Sequence, residues 1–277
     1  MSLSINTNIA ATKASQYLAS NHQNLQKSLD RLSSGKRITG PADDAGGLAV
    51  SMKLEHSING MKGVANGISN GISLLQVQDG VFQSMGDIVT RIGELKSMYD
   101  DVSKSSTDQA LYDSELADLA GQIGSMAATT FNSVDLFAGE LGGANALEVQ
   151  LDTSGSNSME ISDTEVDAAG TALKAIIDGT TFDAGAGGIT TANITAAIDY
   201  VAGLRAGNGG ETKRLEYALA SVNTQITNLT AANGRIVDVD IAQESANLAR
   251  QQILVQASAS MVAQANSANN VALQLLQ

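Results

Sequence analysis

Residues 31–47 read RLSSGKRITGPADDAGG, and the fold turns on what this passage does. It holds Pro41, the single proline of a 277-residue chain, between two stretches with helical periodicity. Proline lacks an amide donor and locks its own φ, so it belongs at the start of a helix and not inside one. Asp43 and Asp44 follow, and either can cap the next helix, where acids also complement the helix dipole. Adjacent carboxylates on a helix diverge by about 100°, which makes them a poor shared acid–base pair. Gly40, Pro41, Asp43 and Asp44 are therefore read as a hinge between two rods.

On the N-terminal side, Leu18, Leu25 and Leu32 recur every seven residues, with Leu29 beside them. On the C-terminal side, Met61, Ile68, Leu75, Phe82 and Val89 keep the same spacing, with Ile58, Ala65 and Ile72 as a companion row. Sustained heptads of this kind mark a coiled-coil or bundle seam. A helix from Asp44 to Tyr99 would be on the order of 80 Å long, at roughly 1.5 Å per residue. The polar run SKSSTD at 103–108 breaks it, and a further helix is expected through Leu116, Leu119 and Ile123, ending near TTFNS.

The texture changes between 140 and 191. Glycines cluster in GELGG and DAGAGG, and ALEVQLDTSGSNSMEIS has the form of two short strands around a Ser/Gly turn. Nine carboxylates stand there against Lys174 alone, a net −8 of the chain's −13. With no heptad and so much charge, the segment is expected to be solvent-facing and dispensable. Heptads return in Leu215, Val222, Leu229 and Ile236, and again in Ile241, Leu248, Val255 and Val262, flanked by Leu254 and Met261. The run GLRAGNGGETKR at 203–214 is expected to be a flexible helix boundary. The chain closes on the apolar NNVALQLLQ. The order is nearly symmetrical, so the two ends should pair with each other.

Composition narrows the function classes. Aromatics are 3 %, Trp and Cys are absent, and Ala, Leu, Ile and Val supply most of the 43 % hydrophobic content. That suits thin helical layers better than a thick α/β core. A charge of −13 disfavours nucleic acid, and no run of about 18 apolar residues is present to insert into a membrane. MSLSINTNIAATKAS lacks a basic segment ahead of an unbroken apolar stretch, so no secretory leader is expected. His22 and His56 lie in polar helical surroundings. LEHS lacks the second histidine of HExxH, and the glycines before Lys213 miss the spacing of a phosphate-binding loop. Neither catalysis nor a metal or cofactor is expected.

The motifs SINTNIAATKASQYL, LDRLSSGKRITGPADDAGGLAVS, NGISLLQVQDG and TTFNSVDLFAG resemble the N-terminal region of bacterial flagellin. YALASVNTQITNLTAANGRI and DIAQESANLARQQILVQASASMVAQANSANNVALQLL resemble its C-terminal region. The resemblance spans 2–139 and 195–277. It implies a mainly α fold: a long antiparallel helical hairpin or coiled-coil bundle formed by both termini, carrying a small β-containing variable insert. The expected layout is an inner terminal coiled-coil domain of 1–34 and 240–277, linkers at 35–46 and 230–239, an outer helical domain of 47–139 and 192–229, and an insert of 140–191. Subunit packing in the inner domain would fall to Leu18, Leu25, Leu29, Leu32, Ile241, Leu248, Leu254, Val255, Met261 and Val262. The outer core would be Met61, Ile68, Leu75, Phe82, Val89, Leu215, Val222 and Leu229.

The resemblance further implies a subunit that polymerises into the flagellar filament for swimming motility, after export through the flagellar type III apparatus. Implied partners are copies of itself, a filament cap protein, a hook–filament junction protein and an export chaperone. A host Toll-like receptor would contact Arg91, Glu94 and Leu95, since the family's QRVRELAVQ is matched by TRIGELKSM, and Glu115, which corresponds to a family glutamate on the following helix. Departures exist. The family's INSAKDDAAGLAI becomes ITGPADDAGGLAV, and a usual proline near the C-terminus is Ala268. A proline before the paired aspartates also resembles the junction protein, which stands as the alternative, with a chemoreceptor-like signalling coiled coil behind it.

Overall fold

A computed structural model of the chain describes residues 8–132, 134–137, 148–161, 172–179, 181–182 and 188–274. Its elements run α1 (Ile9–Ser34), α2 (Ala45–Tyr99), α3 (Ser106–Ala127), β1 (Thr130–Phe131), β2 (Val134–Asp135), β3 (Glu148–Gln150), β4 (Ser158–Glu160), α4 (Ala172–Ile177), α5 (Thr191–Val237) and α6 (Ile241–Gln274). The fold is mainly helical, as expected. It divides into two compact units, one running to Ile58 and resuming at Thr227, the other Asn59–Ile226. The division falls inside α2 and α5, beyond the linkers expected at 35–46 and 230–239. Continuous helix carries the chain across it, so composition offers no boundary there. Leu229, expected in the outer core, lies half-buried in the first unit.

In the first unit α1 begins at the N-cap Asn8, whose Oδ1 accepts from the Ala11 amide at 2.9 Å. It stops at Gly35, where φ is 69°, a left-handed value that costs a glycine little. Helix α6 lies antiparallel along α1. Asn8 donates to the Ala265 carbonyl at 2.8 Å, Asn21 to Ser258 Oγ at 2.7 Å, and Arg31 pairs with Glu244. The two end segments thus pair, as the symmetry of the sequence requires.

The second unit is built on the long heptad. Ile68, Leu75, Phe82 and Val89 of α2 are wholly buried, with Leu215 and Val222 of α5 and Leu116 and Ile123 of α3; Met61 is half-buried at the edge. Helix α3 starts in a capping box in which Ser105 and Asp108 satisfy each other's amides. Gln78 is buried and donates to the Leu136 carbonyl at 3.2 Å, holding the turn after the β1–β2 ladder, while the Phe82 and Phe137 rings meet 5.3 Å apart.

Two expectations are overturned. The run 203–214 is not a boundary, because α5 passes through it unbroken. Asn208 is buried there and donates to the Leu75 carbonyl at 3.0 Å, and Arg205 grips Asp79 with two nitrogens at 3.0 and 3.2 Å. These contacts outweigh the weak helix preference of its glycines. Nor do the described residues of the insert all face solvent. The expected hairpin forms, with Val149 opposite Met159, but both face inward. They join Ile161, Leu173, Ile176, Phe182 and Ile189 in the same apolar cluster as the α2 heptad. Much of the acidic content expected of the insert lies outside the described residues.

Candidate functional site

The first region is the joint between α1 and α2. Asp44 is the cap of α2: its Oδ1 accepts from the Gly47 amide at 2.8 Å. Asp43 faces the other way. Its Oδ2 accepts from the Thr39 hydroxyl at 2.8 Å and the Thr39 amide at 3.3 Å, and its Oδ1 lies 3.5 Å from Lys27 and 3.9 Å from Arg31 on α1. Those Thr39 hydrogen bonds, with the charges of Arg31 and Lys27 behind them, hold the Asp43 carboxyl below its ordinary range. Pro41 sits in a turn closed by the Asp43 amide on the Gly40 carbonyl at 3.1 Å.

The expected hinge is tied down. The Arg37 amide donates to the Val237 carbonyl at 2.6 Å, the Val239 amide to the Gly35 carbonyl at 3.0 Å, and the Arg37 guanidinium to the Ile236 carbonyl at 2.7 Å. Lys36 and Asp238 form a β-bridge between the two linkers. Asp240 caps α6 through the Ala242 amide at 2.9 Å. These bonds satisfy backbone groups across the two linkers that would otherwise need water.

The α1–α6 seam is the second region. Leu18, Leu25, Leu32, Leu248, Val255 and Val262 are half-buried within it, and Ala14, Ser28, Glu244 and Ser258 are buried. Leu29, Ile241, Leu254 and Met261 remain exposed, alongside Ile9, Tyr17 and Ile253. A groove of about 340 Å³ runs between Tyr17, Asn21, Leu254 and Met261, floored by Ala14 and Ser258. Two helices bearing this much uncovered apolar surface are suited to meet further helices. Tyr17 and Ile253 went unremarked in the sequence because neither falls on the heptad rows.

The third region lies on α2 and α3. Arg91 donates to Glu94 at 3.0 Å, and to Glu115 from both Nε and Nη2 at 3.2 and 2.9 Å. The hydrogen bonds to Glu115, then those to Glu94, push the Arg91 pKa upward. The structure brings these three together on one face. Leu95, expected beside them, is wholly buried in the core and leaves the set: it lies a turn beyond Ile92, itself buried, on the inward face of α2.

His22 and His56 are both exposed, and Lys213 is paired with Glu216 at 2.6 Å. Among the described residues no three His, Asp or Glu side chains converge as metal ligands, and no helix is long and apolar enough to cross a membrane.

Comparison with known proteins matches two family models. One, the bacterial flagellin N-terminal helical region, covers residues 5–141; the other, the bacterial flagellin C-terminal helical region, covers 191–276. The chain is 32 % identical to the flagellar filament 33 kDa core protein of Treponema phagedenis, over 99 % of each chain. It is likewise 32 % identical to the flagellin of Bacillus subtilis (strain 168), over 99 % of each. The solved flagellin of Bacillus cereus is 24 % identical, with a TM-score of 0.46 over 60 % of this chain and 93 % of that one.

Proposed function

The chain belongs to the bacterial flagellin family, and from this we infer that it is a structural subunit that polymerises into the flagellar filament. The observation that carries the reading is the double match, to both helical regions, on a chain whose paired end helices leave Tyr17, Ile253, Leu254 and Met261 uncovered. The matches favour a filament subunit over the hook–filament junction protein and over a chemoreceptor-like coiled coil.

Family membership supports finer parts of the same proposal. In the polymer the α1–α6 pair forms the inner layer, where copies of the chain cover Leu29, Ile241, Leu254 and Met261. The subunit leaves the cell through the flagellar type III apparatus with an export chaperone, and is added at the tip beneath a cap protein, above a junction protein at the filament base. The filament is extracellular and serves swimming. If a host Toll-like receptor engages α2 and α3, it does so through Arg91, Glu94 and Glu115 without Leu95, whose burial withholds it.

Electron microscopy after salt-induced polymerisation tests the central claim. The full chain should form long filaments. Chains lacking 1–30 or 248–277 should form none, while circular dichroism shows the helices of 59–226 retained. Long filaments from either truncation would sink the assignment of packing to the paired ends.

A further inference from the structure

We infer that Arg31 is a positioning residue that clamps the joint: one guanidinium holds the 35–44 linker and α6 to the last turn of α1. The fork divides between two carboxylates on different segments. Nη2 lies 3.9 Å from Asp43, in the linker, and Nη1 lies 3.9 Å from Glu244, in the first turn of α6. Both acids are sheltered, with side chains only 10 % and 8 % exposed, so neither is fully served by water. Arg31 Nε is itself buried and has no hydrogen-bond partner among the described residues, which leaves the two flanking carboxylates as the contacts of the head group.

The surrounding charges make the arrangement selective. Lys27 also reaches Asp43, at 3.5 Å, but nothing else among the described ion pairs reaches Glu244. Arg37, Arg235, Asp238 and Asp240 line the same polar cleft of about 440 Å³. Removing Arg31 therefore leaves Glu244 as a sheltered carboxylate with no cation in ion-pair contact among the described residues, a costly state. The backbone ties at risk are the Arg37 amide on Val237 and the Val239 amide on Gly35, which join the linker that carries Asp43 to the segment that leads into Glu244. A lysine substitutes poorly, because its ammonium lacks the rigid planar fork whose two nitrogens face the two carboxylates separately.

Hydrogen exchange by mass spectrometry, on the soluble chain and on its filaments, tests this at peptides covering 35–39 and 237–241. Arg31→Met and Arg31→Lys should both speed exchange there by about tenfold or more, while peptides around Leu75 and Phe82 stay unchanged. Glu244→Gln and Asp43→Asn, each removing one arm, should give smaller increases at the same peptides. The clamp is wrong if Arg31→Lys protects as well as arginine, or if Glu244→Gln changes nothing. Failure of the unmodified chain to polymerise would instead overturn the filament reading and leave the soluble-state comparison standing.

Discussion

Gly71 on α2 is a notch into which Val149 of the β3–β4 hairpin fits. A β-carbon on Gly71 would stand 2.8 Å from Val149 Cγ2 and 3.3 Å from Leu215 Cδ1. Gly71→Ala should therefore destabilise the unit by about 1–2 kcal/mol, overpacking exceeding the gain in helix preference. Gly67, with nothing within 4 Å, supplies the control: Gly67→Ala should raise stability by up to about 1 kcal/mol. Urea denaturation of the two variants should move the midpoint in opposite directions.

Asp44→Ala removes the oxygen that holds the Gly47 amide and should cost about 1 kcal/mol. Asp44→Asn or Asp44→Ser keeps a capping oxygen and should recover most of that loss. Thermal unfolding of the three variants distinguishes a cap from a mere surface charge, since serine carries none.

Asp43 makes stability depend on acid. Its carboxyl is depressed in the folded chain, first by the Thr39 hydrogen bonds, so the folded state binds its proton less readily than the unfolded state. The contribution is complete above the unfolded carboxylate range, near pH 4, and is lost as pH falls through the lower folded value. Asp43→Asn should flatten that part of the stability–pH curve below about pH 4 without altering its slope at neutral pH. An unchanged acid limb would exclude Asp43 as a contributor.

Phe182 is 1 % exposed, its ring 5.4 Å from that of Tyr99, and its amide donates to Asp113 at 2.8 Å. Phe182→Ala should cost about 3–5 kcal/mol, as for other buried aromatics. Replacing 147–183 with a Gly/Ser linker would strip Val149, Met159, Ile161, Leu173, Ile176 and Phe182 from one cluster. That chain should lose most of the cooperative unfolding of its second unit, in place of the dispensability that charge and glycine content suggest. A cooperative transition retained at its original midpoint would show that the hairpin is only peripheral.

What could be read from residue order was whatever repeats. The heptad from Met61 to Val89 identified α2, and the hairpin announced itself by two short strands around Ser154 and Gly155. What escaped does not repeat. Leu173 and Ile176 reach the core from the single short helix α4, and Phe182 and Ile189 from outside any helix, while the notches at Gly60 and Gly71 mark where the hairpin seats. The helix through Gly207, Gly209 and Gly210 is held by Asn208 and Arg205, contacts to residues more than a hundred positions away. The joint was located by Pro41 and its aspartates, yet its ties depend on partners at 236–244 that no local motif announces.

The antiparallel seam also sets an order of events. Asn8 meets Ala265, Asn21 meets Ser258 and Arg31 meets Glu244, pairs that lie 257, 237 and 213 positions apart. Contacts of such separation close last, because the intervening chain must first give up its freedom. During synthesis α1 is made before α6 and waits, its apolar edge without that mate, until α6 follows. The second unit, Asn59–Ile226, can condense in the meantime. A nascent chain halted before α6 should therefore hold a formed bundle and a solitary, protease-sensitive first helix.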